Sequence, residues 1–337
     1  MSELHLDYPL VSVIVPTYNN EARIEKTLRS IIAQDYPNIE IIVVNDVSTD
    51  STATIARRVL TAWGGQFKVI DRSVNGGQSA SRNTGLNLAQ GQYVIFFDHD
   101  DLAEKNYISR LCSEAEGTGA DLVFCGFKIY HEGKNRYEEF PIKLSSPLQS
   151  ANDYIAAWLK GKLVNCVWCF IFRKIFLDKN GIRFKESCYV GEDIEFTLKA
   201  FGVSTCTSFV KDPLYIWVHH PAQQTAGGGP RTADFQSVKL TMLYRGRAAR
   251  YIIKHGTKRA RDYMLCFYIP KNFIKRCTDF VEKEDKISYE RQIRMLRHRK
   301  IRTLLLSSVK FLCFEPEVFL KAVLLLWCPR FYYWLRS

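Results

Sequence analysis

Residues 10–130 alternate between two hydrophobic periodicities, and that alternation restricts the chain to a small set of architectures. Residues 10–16 (LVSVIVP) form a β-branched run closed by proline, and residues 22–34 then put Ile24, Leu28, Ile31 and Ile32 at helical spacing. Residues 39–44, 67–70 and 93–97 read as further strands, with helices expected over about 51–63 and over 79–89. Strands that are apolar throughout are covered on both faces, so the fold class expected is α/β, a mostly parallel sheet flanked by helices. Ligands of such sheets bind outside the carboxyl ends of the strands, so the polar residues that follow each strand carry the information.

Composition excludes other classes. With 337 residues, 47% of them apolar and 24% charged, the chain is neither disordered nor a repeat or collagen-like array. Its ten cysteines are thinly spread, unlike a small disulfide scaffold, and residues 1–8 are too polar for a signal peptide; a reducing cytosol is expected. The formal net charge of +12 is unevenly placed. Residues 1–230 hold 23 basic and 26 acidic side chains, residues 231–300 hold 19 and 7, and residues 301–337 hold 5 and 2. A near-neutral domain over 1–230 (halves 1–130 and 131–230) followed by a basic helical extension over 231–337 is the expected organisation.

Three polar loops follow the expected strands: Thr17-Tyr18-Asn19, Asn45-Asp46-Val47-Ser48-Thr49-Asp50 and Asp98-His99-Asp100-Asp101. A glycine-bearing stretch, residues 75–83, runs into a helix between them. Asp98, Asp100 and Asp101 repel one another unless a cation is present, and hard oxygen ligands suit Mg²⁺ or Mn²⁺; the plain alternative is a solvated acidic turn. Asp46 reads either as a turn or helix-capping residue or as an acceptor for a base or ribose edge. Glu192-Asp193 opens a helical pattern, where a carboxylate is favourable at the N-terminus or, reaching into a site, can take a proton.

Taken in order, Pro16-Thr17-Tyr18-Asn19, Asn45-Asp46-Val47-Ser48, Ala80-Ser81-Arg82-Asn83-Thr84-Gly85, Asp98-His99-Asp100-Asp101 and Gly191-Glu192-Asp193 resemble the motifs of the family-2 inverting glycosyltransferases of the GT-A fold. The resemblance covers roughly residues 10–220. It implies a Rossmann-like nucleotide-sugar-binding core, a nucleotide-sugar donor such as a UDP-sugar, and Mn²⁺ or Mg²⁺ held through Asp98 and Asp100. Donor contacts would come from Pro16, Thr17, Tyr18, Asn19, Asp46, Arg82, Asp98 and His99, and Asp193 would be the catalytic base. Asp101, Glu192, His219 and His220 are further candidates, one of the two histidines closing on the donor. The transfer expected is of a hexosyl or N-acetylhexosaminyl group to a glycan or lipid-linked acceptor in bacterial cell-surface polysaccharide synthesis. Two departures stand out: Asn45-Asp46-Val47-Ser48 replaces the usual Asp-Asp-Gly-Ser, and His99 replaces a small residue.

Elsewhere, Cys166-Val167-Trp168-Cys169 has no partner pair and reads as buried thiols, and residues 227–230 (GGGP) read as a mobile lid or a boundary. Arg247, Arg250, Lys254, Lys258 and Arg261 form one helical stripe opposite Ala249, Ile252 and Ile253. The apolar runs 304–314 and 318–327 are shorter than the ~20 residues that cross a bilayer. With Trp327, Phe331, Tyr332, Tyr333, Trp334, Arg330 and Arg336 they suit attachment to the inner face of the cell membrane without spanning it. No recognisable nucleic-acid module accompanies the basic segment, so a nucleic-acid partner is not expected. A nucleotidylyltransferase would carry a Gly-rich basic loop where Thr17-Tyr18-Asn19 stands, and a non-catalytic binding protein would have no call on both Asp100 and Asp193.

Overall fold

The computed structural model describes residues 8–144, 153–155, 157, 163, 166–186, 188, 191–220, 246–256 and 258–264. Four strands, β1 (Val11–Thr17), β2 (Ile39–Asn45), β3 (Gln66–Asp71) and β4 (Tyr93–Phe96), pair in parallel in the order 3-2-1-4. Every residue of β1, β2 and β4 is buried. Burial on both faces is why these strands read as continuous apolar runs. Helices α1 (Ile24–Ile32), α2 (Thr52–Trp63), α3 (Gly77–Leu88) and α4 (Tyr107–Thr118) supply the layers; α1 buries Ile24, Leu28 and Ile31, the stripe its spacing predicts.

Beyond β4 the connections change character. The strands here are β5 (Leu102–Ala103), β6 (Leu122–His131), β7 (Arg136–Phe140), β8 (Phe170–Arg173) and β9 (Thr207–His219), with helices α5 (Lys174–Lys179) and α6 (Glu192–Val203). Strand β8 lies antiparallel between β4 and β6, β9 runs parallel to β6 but antiparallel to β5, and β7 folds back on β6. The parallel reading therefore holds for the first four strands, and the nine-stranded sheet of the described residues is mixed.

Two packing contacts place the site. A Cβ on Gly85 would sit 2.3 Å from Ile14 Cγ2, so α3 presses its backbone onto β1 and brings Arg82, one turn earlier, under the end of β4. The rings of Phe96, Phe184 and Phe196 meet at centroid separations of 4.1–5.4 Å, which fixes α6 against the end of β4. Edge-to-face and stacked pairs of this kind add about 0.5–1.5 kcal/mol each beyond their buried area.

The chain divides into compact units Met1–Ala248 and Ala249–Ser337. In the second, residues 249–255 are helical and a helix follows at Lys258–Tyr263. Arg250, Lys254, Lys258 and Arg261 are exposed there while Ile252 and Ala260 are buried, but the first helix ends before Gly256, so the expected single stripe is carried by two helices, and Ile253 is only half-buried. Among the described residues no helix is long and apolar enough to cross a membrane. The expected boundary at 230, the lid at 227–230 and the aromatic segment at 301–337 lie outside the described residues.

Candidate active site

The loops after β1, β2 and β4 converge and are stitched together by side-chain-to-backbone hydrogen bonds. Asn19 Oδ1 accepts from Thr49 N at 2.8 Å, Asn19 N donates to Ser48 Oγ at 3.0 Å, and Asp46 N donates to Thr17 O at 2.9 Å. Pro16 is buried within β1, whereas Tyr18 is 46% exposed at the rim, an open aromatic face beside these loops. Asp50 accepts from Thr52 N and Glu21 N, the capping role its position suggests.

Asp46 is buried and held from several sides. Its carboxylate pairs with Arg72 and accepts from Gly76 N at 3.1 Å and Gly77 N at 2.7 Å, while Asn75 Nδ2 donates to its backbone oxygen. The carboxylate thus joins the end of β2 to the glycine-bearing loop. Both departures in this motif acquire a physical account. Asn45 donates through Nδ2 to Asp71 Oδ1 at 2.9 Å and accepts from Ser48 N at 3.1 Å; an aspartate there could not donate, and would face Asp71 with like charge. Val47 takes the glycine's place with φ +66, a left-handed conformation that is a genuine outlier for a β-branched residue.

At the end of β4 the four residues 98–101 divide by direction. Asp98 Oδ1 accepts from Arg82 Nη2 at 2.8 Å and from Gln78 Nε2 at 2.9 Å. Asp101 turns inward and is buried, accepting from Tyr215 Oη at 2.9 Å and Val218 N at 2.8 Å; burial first, then the charges of Asp100 and Asp98, push its carboxyl well above the usual range. Tyr215 Oη in turn accepts from Asp98 N, so one tyrosine of β9 sets the turn. The His99 ring accepts at Nδ1 from Tyr18 N at 3.3 Å, and Thr17 Oγ1 lies 3.1 Å from the same nitrogen. Burial holds this imidazole below its ordinary pKa, which keeps the nitrogen an acceptor. His99 is therefore a neutral strut between β1 and β4, a job no small residue can do.

Asp100 meets His220, whose Nε2 lies 3.0 Å from Asp100 Oδ2. Of the two candidate histidines, His220 reaches the acid run; His219 is exposed beside His131 and Trp217. Among the described residues no three His, Cys, Asp or Glu side chains converge as a ready-made metal cage. A carboxylate and an imidazole within 3 Å nonetheless fit a divalent ion that completes its shell with water and phosphate oxygens, as Mg²⁺-type ions do.

Arg82 bridges the two halves. Its side chain is 2% exposed, with Nη1 3.5 Å from Glu192 Oε1, and its Nε and Nη1 find no hydrogen-bond partner among the described residues. Unsatisfied buried donors of this kind are rare and call for a partner. Asp193 follows Glu192 at the first turn of α6, where Gly191 takes φ +73. Burial and then the Glu192 charge raise its carboxyl, against the pull of Arg82, to about 7. That value suits proton exchange near neutral pH. Cys166 and Cys169 are free thiols; Cys169 is buried as expected, while Cys166 is half-buried, and burial first, then the charges of Asp193, Asp98 and Asp101, push its thiol up.

Sequence reasoning did not single out Arg72, Gln78 or Tyr215 for the site, and read Arg247 only as part of the basic stripe. Arg72 was findable, because it follows a strand just as Asp46 and Asp98 do. Tyr215 and Arg247 contact the site from more than fifty residues away and leave no local signal.

The profile of "Glycosyl transferase family 2" matches residues 12–181. The glycosyltransferase EpsJ of Bacillus subtilis is 33% identical over 221 residues, 64% of this chain and 63% of that protein. The poly(ribitol-phosphate) beta-N-acetylglucosaminyltransferase TarP of Staphylococcus aureus is 29% identical over 279 residues, 74% of this chain and 81% of its own. The match thus spans less than two thirds of EpsJ. Among solved structures, S. aureus TarS 1–349 in complex with UDP-GlcNAc superposes with a TM-score of 0.67 at 23% identity, over 88% of this chain and 81% of that one. Pyrobaculum calidifontis mannosyltransferase PcManGT in complex with GDP-Man and Mn²⁺ superposes at 0.52 and 17% identity, over 96% and 88%. At these identities the superpositions speak for the shared α/β fold, the GT-A type. A profile match over half the chain settles the rest: the chain belongs to glycosyl transferase family 2.

Proposed function

We propose that the protein is an inverting glycosyltransferase that moves a hexosyl or N-acetylhexosaminyl group from a nucleotide-sugar, a UDP-sugar by preference, to a hydroxyl of a glycan or lipid-linked acceptor in bacterial cell-surface polysaccharide synthesis. The observation that carries this reading is Arg82, which joins the acid run after β4 to the Glu192-Asp193 turn and keeps two buried donors unsatisfied beside both. Relatives add support: TarP carries a beta-N-acetylglucosaminyltransferase name, and the TarS complex holds UDP-GlcNAc.

In this reading the donor's base and ribose lie across the loops of Thr17, Asn19 and Asp46, under the rim tyrosine Tyr18. Its diphosphate takes up the free N–H groups of Arg82. Asp100 and His220, with Asp98 close by, would hold a divalent ion, Mn²⁺ or Mg²⁺, which neutralises charge developing on the leaving diphosphate. Asp193 removes the proton of the acceptor hydroxyl as its oxygen bonds to the anomeric carbon. The bond from that carbon to the diphosphate oxygen breaks, its electron pair leaves with the nucleotide, and the configuration inverts. The basic extension would rest on an anionic membrane surface and bring the enzyme to its acceptor.

A panel of UDP-sugars assayed for UDP release with Mn²⁺ or chelator, with and without oligosaccharide and polyprenyl-linked acceptors, tests this. Metal-dependent release stimulated by one acceptor, with a product of inverted anomeric configuration by NMR, is expected. Retained configuration, or release indifferent to Asp193, overturns it.

A further inference from the structure

The basic stripe beginning at Arg247 is not uniformly a solvent-facing surface. Arg247 Nε donates to Glu195 Oε2 at 2.6 Å, and its Nη2 lies 3.0 Å from Cys188 Sγ. Glu195 is 2% exposed and pairs also with Lys199, so its charge is matched on both oxygens. Cys188 and Glu195 flank the turn that carries Glu192 and Asp193. The Cys188 backbone oxygen also accepts from Ser79 Oγ at 3.3 Å on α3, and Glu195 N donates to Gly191 O at 2.9 Å. A planar guanidinium with donors in a fixed fork can hold two such points in one orientation; a lysine, with a single flexible ammonium, cannot.

We infer that Arg247 is a positioning residue for the transfer: its guanidinium clips the residues on either side of the Glu192-Asp193 turn and so sets where the Asp193 carboxylate sits. This rests on the reading of Asp193 as base, and adds that a residue far along the chain, at the start of the basic stripe, governs how well the base is aimed. Misplacing a catalytic group by about 1 Å can lower a rate on the order of 10²-fold, so a clip of this kind acts on turnover more than on donor binding.

The test compares wild type, Arg247→Gln, Arg247→Lys, Asp193→Asn, Glu195→Gln with Arg247→Gln, and Asp193→Asn with Arg247→Gln. UDP release from UDP-N-acetylglucosamine with the acceptor selected above, and Kd for UDP, are measured beside hydrogen exchange over residues 188–195. Arg247→Gln should lower kcat by roughly 10-fold or more while moving the UDP Kd less than about twofold, with Arg247→Lys only partly restoring it. Exchange over 188–195 should rise on the order of 10-fold, and β1, β2 and β4 should be unaffected. In Arg247→Gln the buried Glu195 carboxylate keeps Lys199 but loses the cation on its other oxygen; adding Glu195→Gln removes that half-matched charge, so Tm should recover while kcat stays low. In the Asp193→Asn background, Arg247→Gln should cause no further loss, because no base remains to be aimed. Recovery of kcat together with Tm, or additive losses with Asp193→Asn, overturns the clip. Near-normal kcat in Arg247→Gln with an impaired Asp193→Asn overturns the clip alone. Near-normal turnover in Asp193→Asn overturns the base reading and the clip with it.

Discussion

The two flanks of the site are held by different physics. On the β1–β2–β4 side, loops are cross-linked by many short hydrogen bonds to backbone groups: Asn19 to Thr49 and Ser48, Asp46 to Gly76 and Gly77, the His99 ring to Tyr18. On the α6 side, the Glu192-Asp193 turn is held by long-range charge: Arg82 from below and Arg247 clipping its flanks through Glu195 and Cys188. The first arrangement spreads its geometry over several partners and should survive loss of any one; the second concentrates it in a few side chains. Single substitutions should therefore act sharply on the α6 side and gradually on the other.

The largest effect belongs to Asp193→Asn. The amide keeps the size but cannot take a proton, so kcat should fall by about 10²–10⁴-fold with donor affinity nearly intact. Because the carboxyl is raised to about 7 and the proposed base would act ionised, wild-type kcat should rise as pH passes through 7 and level off above it. A flat profile from pH 5.5 to 8.5 would break the assignment. The stability sign runs the other way. The folded-state value lies above the ordinary 3.8, so the folded protein holds this proton more tightly, and its contribution is full below about 4 and lost as pH rises through about 7. Asp193→Asn should accordingly melt higher than wild type at pH 8 and gain little at pH 4, measured by calorimetry at both.

Next in size is the proposed cation site. His220→Ala removes the imidazole that meets Asp100 and should weaken Mn²⁺-dependent UDP binding by roughly 10–100-fold, while binding in chelator stays as in wild type. Titration calorimetry with and without Mn²⁺ reads the difference; equal losses in both would place His220 in packing alone. On the opposite flank, Asn19→Ala removes only one stitch among several, and donor affinity should fall by less than about tenfold, roughly the net value of one hydrogen bond. A drop as deep as that of His220→Ala would erase the proposed contrast between redundant and concentrated support.

That contrast also explains what the sequence disclosed. The four parallel strands and the loops behind them are legible because each candidate residue lies next to the element that positions it: Asp46 after β2, Asp98 and Asp100 after β4, Glu192 and Asp193 at the start of α6. The mixed half is less legible, since β8 and β9 are placed by pairings that span long sequence separations, such as Val94 with Phe172. The acid run looked uniform in sequence. Its division into an ion-paired Asp98, a His220-linked Asp100 and an inward Asp101 depends on Tyr215, Val218 and His220, over a hundred residues later. Arg247 fitted the periodicity of a surface stripe, and only the fold reveals Glu195 beneath it.

The smallest expected effect probes strain on the redundant side. Val47 sits at φ +66 and is 37% exposed, so it carries a left-handed backbone with only part of its side chain packed. The Cβ contact in that conformation costs roughly 1–2 kcal/mol for an L-residue. Replacing valine by glycine relieves it but also removes apolar contact and loosens the unfolded chain, so comparison with wild type mixes three effects. Comparing Val47→Gly with Val47→Ala separates them, because both remove the isopropyl group and only alanine keeps the Cβ. At an ordinary position alanine is the more stable; here the order should reverse, with Val47→Gly ahead by about 1 kcal/mol in urea unfolding, or about 2 °C in Tm for a domain of this size. If alanine proved equal or better, the loop would relax without strain, and the network around Asn45, Ser48 and Asp46 would be softer than its hydrogen bonds imply.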